Sequence, residues 1–142
     1  MQKLFKQARE LLCSGKPAAL VTVVASSGST PRGAGARMLV GEQGRVTGTI
    51  GGGAVEHRSE QMALELLRTG QSKLEFFRLQ KNQVLDLGMV CGGDVNVYFR
   101  ILSPDRATLN LLDGIEEMYQ RGEQSWLITE VTQEQTGVSA PD

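Results

Sequence analysis

Hydrophobic positions recur along the chain with two spacings, one typical of helices and one typical of strands. Residues Lys3–Ser14 carry apolar side chains at helical spacing, and Gly15 is a natural stop after them. The valine-rich run Ala18–Ala25 predicts a buried strand. The strict alternation over Asp94–Leu102 predicts a strand with one buried face. The first hundred residues therefore combine helical and strand patterns.

The middle of the chain continues this alternation of elements. Met38–Gly41 and Arg45–Ile50 predict two short strands joined by a turn, which is typical of a hairpin. A helix is predicted over Ala54–Thr69, closed by Gly70, and a further strand over Lys73–Leu79. We therefore predict an α/β or α+β fold, in which helices pack on a mixed sheet.

The sequence Ser103–Pro104–Asp105 divides the chain into two predicted parts. Residues 1–102 form the main domain, which contains the glycine-rich segments. Residues 103–142 repeat the order of helix, glycine and strand, with the helix over Thr108–Gly122. Any amphipathic helix before a strand gives the same pattern without a duplication. We predict the start of a second unit, cut short, and self-association through its helix.

Composition narrows the class of partner. The net charge of −1 and the 5% aromatic content argue against a nucleic-acid surface or a polybasic membrane binder. No segment has the apolar run of a signal peptide or a membrane span. Cys13 and Cys91 stand far apart and there is one histidine, which argues against a four-ligand zinc site and fits a reducing compartment. We expect a cytoplasmic protein.

Three glycine-bearing segments carry the candidate chemistry. The central one, Gly51–Gly53, stands between a predicted strand and a predicted helix, where backbone N–H groups and the helix dipole favour an anion. The segment lacks the dinucleotide fingerprint because Glu56 occupies the place of its last glycine, and it lacks the lysine of a Walker A loop. A tight turn without a ligand explains the glycines equally well.

Two arginines and a glutamate bear on the interpretation that the glycine-bearing segments bind an anion. Arg32 and Arg37 flank Gly33–Gly35, and arginine is a natural partner for phosphate or carboxylate, although a solvated loop has the same composition. Glu56 lies in the first helical turn, where it favours the dipole or contacts a ligand. Because it would compete with a bound anion, it favours a ligand that also carries donors, such as a pterin.

The third segment is Cys91 followed by Gly92 and Gly93. The thiol is either a small buried hydrophobic group or a soft ligand for a transition metal. No Ser–His–Asp set and no carboxylate pair with useful spacing occurs in the chain. We predict no catalytic residue, and we favour a binding role over catalysis.

Together, the three segments resemble the N-terminal domain of the XdhC/CoxI family. The resemblance covers Met1 to Leu102 and rests on the motifs within Gly28–Met38, Gly48–Glu56 and Met89–Gly93. It implies an accessory factor that matures molybdenum hydroxylases of the xanthine dehydrogenase or carbon monoxide dehydrogenase type. Such a factor binds molybdenum cofactor (molybdopterin) as cargo and assists its sulfuration or insertion into the apoenzyme.

The resemblance also implies a cofactor site and partners. The implied site residues are Arg32, Arg37, Gly51, Gly52, Gly53, Glu56, Cys91, Gly92 and Gly93, with Cys91 facing the metal. The implied partners are the hydroxylase apoenzyme and a cysteine desulfurase. Many members continue into a Rossmann-like domain, which is not expected within this chain. Two other functions stay open, an enzyme acting on a nucleotide or phosphorylated metabolite and a non-catalytic assembly module.

Overall fold

The computed structural model describes residues 1–24, 33–78, 94–122 and 129. These residues form three helices and five strands, whose bounds lie within two residues of the predicted ones. The elements are α1 (Gln2–Cys13), β1 (Ala18–Val24), β2 (Arg37–Gly41), β3 (Gly44–Gly48), α2 (Gly53–Thr69), β4 (Lys73–Arg78), β5 (Asp94–Leu102) and α3 (Arg106–Arg121).

The strands form one sheet in the order β3-β2-β1-β5-β4. The predicted class, helices packed on a sheet, is confirmed. The sheet is not mixed as predicted, since every neighbouring pair is antiparallel. The crossover through α2 does leave β3 and β4 running in the same direction. They lie at opposite edges of the sheet, however, so no parallel pair forms between them.

Both faces of the sheet are buried. Consecutive strand residues point to opposite faces, so β1 contributes to two hydrophobic clusters. The cluster between the sheet and α2 contains Val21, Met38, Val97 and Phe99 of the strands and Val55 and Ala63 of the helix. The cluster between the sheet and α1 contains Leu20, Leu39 and Leu102 of the strands and Leu4, Phe5, Ala8 and Leu12 of the helix. The result is three layers, with the sheet between α1 and α2.

Helix α3 packs on the outside of α1. Leu112 is buried in the cluster that α1 forms with the sheet. Two ion pairs, Arg9 with Asp113 and Lys6 with Glu116, join the helices at the surface. We expected the apolar face of α3 to mediate association with a second copy of the chain. Part of that face contacts α1. The domain division at residue 102 stays a prediction, and the strand predicted after α3 lies outside the described residues.

Helix ends follow the sequence signals. Gly70 and Gly122 adopt the left-handed conformation that ends α2 and α3. Asp105 caps α3, since its carboxylate accepts a 2.8 Å hydrogen bond from the N–H of Thr108. No helix in the described part of the chain is long and apolar enough to cross a bilayer.

Candidate functional site

Strand ends that flank the three glycine-bearing segments lie at one end of the sheet. β1 finishes there at Val24, β3 finishes at Gly48, and β5 begins at Asp94, while β2 begins at Arg37. Neighbouring strands are about 4.8 Å apart, so β3 and β5 are separated by roughly 14 Å. The chain thus enters or leaves all three segments within the span of one cofactor-sized ligand.

Four of the predicted site residues lie outside the described residues, namely Arg32, Cys91, Gly92 and Gly93. Their roles stay predictions, including the metal contact of Cys91. Within the described ranges, no group of three or more His, Cys, Asp or Glu side chains is placed to hold a metal ion. The other predicted residues fall into two places, the glycine segment with Glu56 and the separate side chain of Arg37.

The backbone of the glycine segment requires glycine. Gly51, Gly52 and Gly53 have φ values of 126°, 78° and 68°, in the region that L side chains rarely adopt. Gly48 just before them also has a positive φ, and a Cβ there would meet the carbonyl oxygen of Arg37 at 2.4 Å. A Cβ at Gly52 would meet no heavy atom within 4 Å. The segment therefore passes tightly beside β2 and then opens into free space at the start of α2.

Glu56 holds this conformation from inside the helix. One carboxylate oxygen accepts hydrogen bonds from the N–H of Ile50 at 2.9 Å, from the N–H of Gly52 at 3.2 Å, and from the hydroxyl of Thr49. The Thr49 hydroxyl oxygen in turn accepts from the N–H of Gly51 at 3.1 Å. Helix geometry leaves the N–H groups of the first turn without intrahelical partners. The inner amides of the segment are thus occupied, whereas those of the first turn of α2 remain as donors.

Arg45 is a site residue that the sequence analysis missed. Its guanidinium donates to the carbonyl of Gly48 at 2.9 Å and lies 3.6 Å from the second carboxylate oxygen of Glu56. Its backbone N–H donates to Glu60 at 3.1 Å. β3 is therefore clamped to the first turns of α2. Glu56 and Glu60 lie one helical turn apart, where two like charges repel each other unless a cation lies nearby. This pair was the available signal in the sequence for a cation such as Arg45.

Opposing effects set the pKa of Glu56. Desolvation of the carboxylate raises it, but the hydrogen bonds from Thr49, Ile50 and Gly52 and the charge of Arg45 together lower the pKa below its ordinary value. Glu56 is therefore ionised at neutral pH. Its negative charge beside the helix start weakens the attraction for a bare phosphate, so the site best suits a ligand that carries hydrogen-bond donors as well as an anionic group.

The side chain of Arg37 lies on the opposite face of the sheet from Glu56. Arg37 pairs with Thr22, and its guanidinium lies 5.9 Å from the ring centroid of Phe5 in α1. Only its backbone contacts the glycine-bearing connection, where its carbonyl accepts from Thr49 N–H at 3.1 Å. The structure thus brings Gly51–Gly53 and Glu56 together and places the guanidinium of Arg37 elsewhere.

A separate open cavity of about 670 Å³ lies towards the other end of the sheet. It is lined by the C-terminal half of α2, the β2–β3 turn and the residue preceding β1, through Pro17, Glu42, Gln61, Leu64, Glu65, Leu67 and Arg68. None of the predicted site residues that the structure describes lines it. The glycine segment and this cavity are therefore distinct features of the molecule.

Comparisons with known proteins identify a family for part of the chain. Residues 11–78 match the model of the XdhC and CoxI family. Over 98 residues the chain is 36% identical to the uncharacterized protein YqeB of Escherichia coli strain K12, covering 69% of this chain and 18% of YqeB. Over 114 residues it is 33% identical to the molybdenum cofactor insertion chaperone PaoD of the same strain, covering 80% of this chain and 36% of PaoD.

A solved structure supports the fold alone. The crystal structure of a xanthine dehydrogenase from Bacillus halodurans superposes with a TM-score of 0.60 and 21% identity, over 83% of this chain and 35% of that one. The chain thus spans about a fifth to about a third of the lengths of these three proteins. The matched stretch contains both β2 and the glycine segment, and over residues 11–78 the chain belongs to the XdhC and CoxI family.

Proposed function

We propose that this chain is the cofactor-holding part of a maturation factor that binds molybdenum cofactor and delivers it to a molybdenum hydroxylase. The observation that carries the proposal is the preset glycine segment, at the end of the sheet where the strands flanking all three segments meet. Family membership and the likeness to a molybdenum cofactor insertion chaperone support it. In this proposal the protein carries its cargo and does not transform it.

The first turn of α2 would hold the anionic part of the cargo. The N–H groups of Gly53, Ala54 and Val55 are the donors that the helix start leaves, and Gly52 adds no side chain to cap them. The free space above Gly52 admits a ligand atom close to the backbone. The nearby carboxylate of Glu56 would favour the amino and ring N–H groups of a pterin. A phosphorylated pterin therefore matches both halves of this site.

The remaining predicted residues complete the proposal. Arg32 would pair with the phosphate, and Cys91, beside Gly92 and Gly93, would face the molybdenum through its thiolate. We extend the proposal to the sulfuration of the cargo, with a cysteine desulfurase as the sulfur donor and a hydroxylase apoenzyme as the recipient. We assign Arg37 a different role, because its side chain occupies the other face of the sheet.

A retention experiment tests the proposal. The purified chain is mixed without oxygen with cofactor released from a molybdenum enzyme, and the pterin and molybdenum that co-elute from a sizing column are measured. Gly52→Asp places a second carboxylate at the donors of α2, and we expect retention to fall about tenfold or more, which corresponds to about 1.4 kcal/mol.

Gly70→Asp is the matched control for this experiment. Gly70 also has a positive φ, and a Cβ there also meets no heavy atom within 4 Å, but it lies at the other end of α2. Its ψ of 14° is left-handed helical, whereas Gly52 has a ψ of −169°, so Gly70→Asp should carry less backbone strain, and it should retain the cofactor like the wild type. Failure of the wild type to retain cofactor, or equal retention by both variants, would exclude the glycine segment as the site. Turnover of a phosphate ester by the wild type would instead favour an enzyme.

A further inference from the structure

Arg37 lies in an unusual environment at the surface made by α1, α3 and the start of β2. Its guanidinium lies over the ring of Phe5, with 5.9 Å to the centroid, and its Nη1 is 3.9 Å from the sulfur of Met1. Burial lowers the pKa of Arg37, and Tyr119 near the end of α3 opposes this shift. The N-terminal part of the chain thus places this cation against an aromatic ring and a thioether.

This cation has no counterion among the described residues. Three other cations of α1 and α3 are paired, since Arg9 pairs with Asp113, Lys6 with Glu116, and Arg121 with Glu117. No carboxylate described in the structure lies within ion-pair distance of Arg37, and its Nε is buried without a hydrogen-bond partner. Burial lowers the pKa of Arg37, although the group stays charged.

Packing alone explains this arrangement poorly. Arg37 is half-buried, and removing a cation from water is destabilising unless a carboxylate or other anion offsets its desolvation. Stacking on Phe5 compensates in part. A methionine or leucine in the same position would cover Phe5 without that penalty. The arginine is therefore better explained by an anion that the described residues do not supply.

The side chains around Arg37 indicate what kind of molecule brings that anion. Met1, whose sulfur lies beside the guanidinium, is 52% exposed, and Tyr119 near the end of α3 is 40% exposed; both are large apolar groups. Tyrosine, methionine and arginine are the residues enriched at protein–protein interfaces, and tyrosine and arginine are enriched among the side chains that contribute most to affinity. The surface thus has the composition of a protein-docking site, and it carries the unmatched positive charge of Arg37.

We propose that Met1, Arg37 and Tyr119 form a docking surface for an acidic segment of a partner protein. An Asp or Glu carboxylate of the partner accepts hydrogen bonds from the outer Nη edge of Arg37, since the Nε edge is enclosed. An apolar side chain next to that carboxylate covers Tyr119 and Met1. This surface lies on the face of the sheet opposite Glu56, so a partner docks here without covering the first turn of α2.

Peptide display tests this proposal even though the partner is unidentified. Random twelve-residue peptides are selected on the immobilised full chain and counter-selected on Arg37→Gln. We expect enrichment of an Asp or Glu adjacent to a leucine, methionine or aromatic residue. The enriched peptides should bind Arg37→Gln and Tyr119→Ser at least about tenfold more weakly than the wild type.

Matched variants keep the outcome decisive. Arg121 is an exposed arginine of α3, the helix that carries Tyr119, and it already pairs with Glu117. Arg121→Gln should therefore bind these peptides like the wild type. If circular dichroism shows that Arg37→Gln is unfolded, Arg37→Met is used in its place, because methionine fills the same space over Phe5. Peptides without an acidic residue, peptides indifferent to both Arg37 variants, or no selected peptide at all would overturn the proposal. So would a dimer of the wild type that Arg37→Gln dissociates, since a second copy would then be the occupant.

The proposals for the docking surface and for the cofactor site can be contradicted independently. Arg37→Gln should retain molybdenum cofactor while losing the peptides, and Gly52→Asp should do the opposite. Loss of cofactor in Arg37→Gln would assign the guanidinium to the cargo site and remove the docking surface. Loss of cofactor binding by the wild type itself would leave the peptide result unaffected.

Discussion

The N–H of Gly52 donates a 3.2 Å hydrogen bond to the carboxylate of Glu56, four residues further along the chain. The first turn of α2 thereby fixes the conformation of the segment that leads into it, much as the acidic residue of a capping box does. The same oxygen accepts from the N–H of Ile50. The segment therefore adopts this conformation without a bound ligand.

Glu56→Ala should destabilise the protein by about 1–3 kcal/mol, because it leaves the N–H groups of Ile50 and Gly52 without an acceptor and Arg45 without its carboxylate. Glu56→Gln keeps an acceptor oxygen and loses only the charge, so its cost should be smaller. Urea unfolding of the three proteins measures the difference. Equal costs for the two variants would mean that charge alone, and not the hydrogen bonds, makes the contribution.

The stability that Glu56 contributes should depend on pH. Its pKa in the folded protein is below the ordinary value, so its contribution is complete above the pKa of the unfolded chain, about 4.3, and is lost as the pH falls through the lower folded value. The difference in urea midpoint between the wild type and Glu56→Gln should stay constant from pH 7 to about pH 5 and shrink below about pH 4. A difference that persists unchanged at pH 3 would contradict the direction of the shift.

Alanine at two glycines of the site should have unequal effects. Gly52→Ala adds a Cβ with no heavy atom within 4 Å, so its cost is the positive φ alone, about 1–3 kcal/mol. Gly48 also has a positive φ, and Gly48→Ala places its Cβ 2.4 Å from the carbonyl oxygen of Arg37, so it should cost clearly more. Thermal and urea unfolding compare the two.

Gly114 provides the control for these substitutions. It lies inside α3, has no positive φ, and has free space where a Cβ would stand. Gly114→Ala should therefore stabilise the protein by about 0.5–1 kcal/mol. If Gly48→Ala proves as mild as Gly52→Ala, the approach of β3 to Arg37 is looser than the structure shows.

Asp105→Ala should lower the stability by about 1 kcal/mol, because the side chain of Asp105 satisfies the N–H of Thr108 at the start of α3. Asp105→Asn keeps a capping oxygen and should cost much less. Since α3 contacts the molecule mainly through α1, amide exchange should accelerate in α3 more than in the sheet. Uniform acceleration throughout the chain would show that α3 unfolds only together with the whole domain.

Elements with a strong local signal were predictable from the sequence. The alternation over Asp94–Leu102 gave the bounds of β5, and Gly70 marked the end of α2. The order of strands in the sheet was not predictable, because β5 pairs with β1 through contacts distant in sequence. Local periodicity carries no information about such partners, and for this reason a mixed sheet was expected where an antiparallel one forms.

Within the candidate site, the glycine backbone and Glu56 were predictable from the sequence, whereas the positions of the Arg37 and Arg45 side chains were not. The run Gly51–Gly53 signalled an unusual conformation before a helix, and the structure places three positive φ values there. The separation of Arg37 from Glu56 depends on the strand register, since a shift of one residue would move the arginine to the other face. The pairing of Arg45 with Glu56 likewise depends on how β3 lies against α2. The position of Arg37 has no local pattern in the chain, and the pair Glu56 and Glu60 indicates a cation without specifying which residue supplies it.

The β2–β3 turn at Glu42 and Gln43 stands at the end of the sheet remote from the glycine segment. Both residues are exposed and connect strands that are paired on either side of them. A fluorescent label or a surface tether attached at Gln43 would therefore report on capture of cargo or partner while leaving both places of contact free. The same asymmetry gives an experimenter a fixed direction in which to orient the molecule on a sensor.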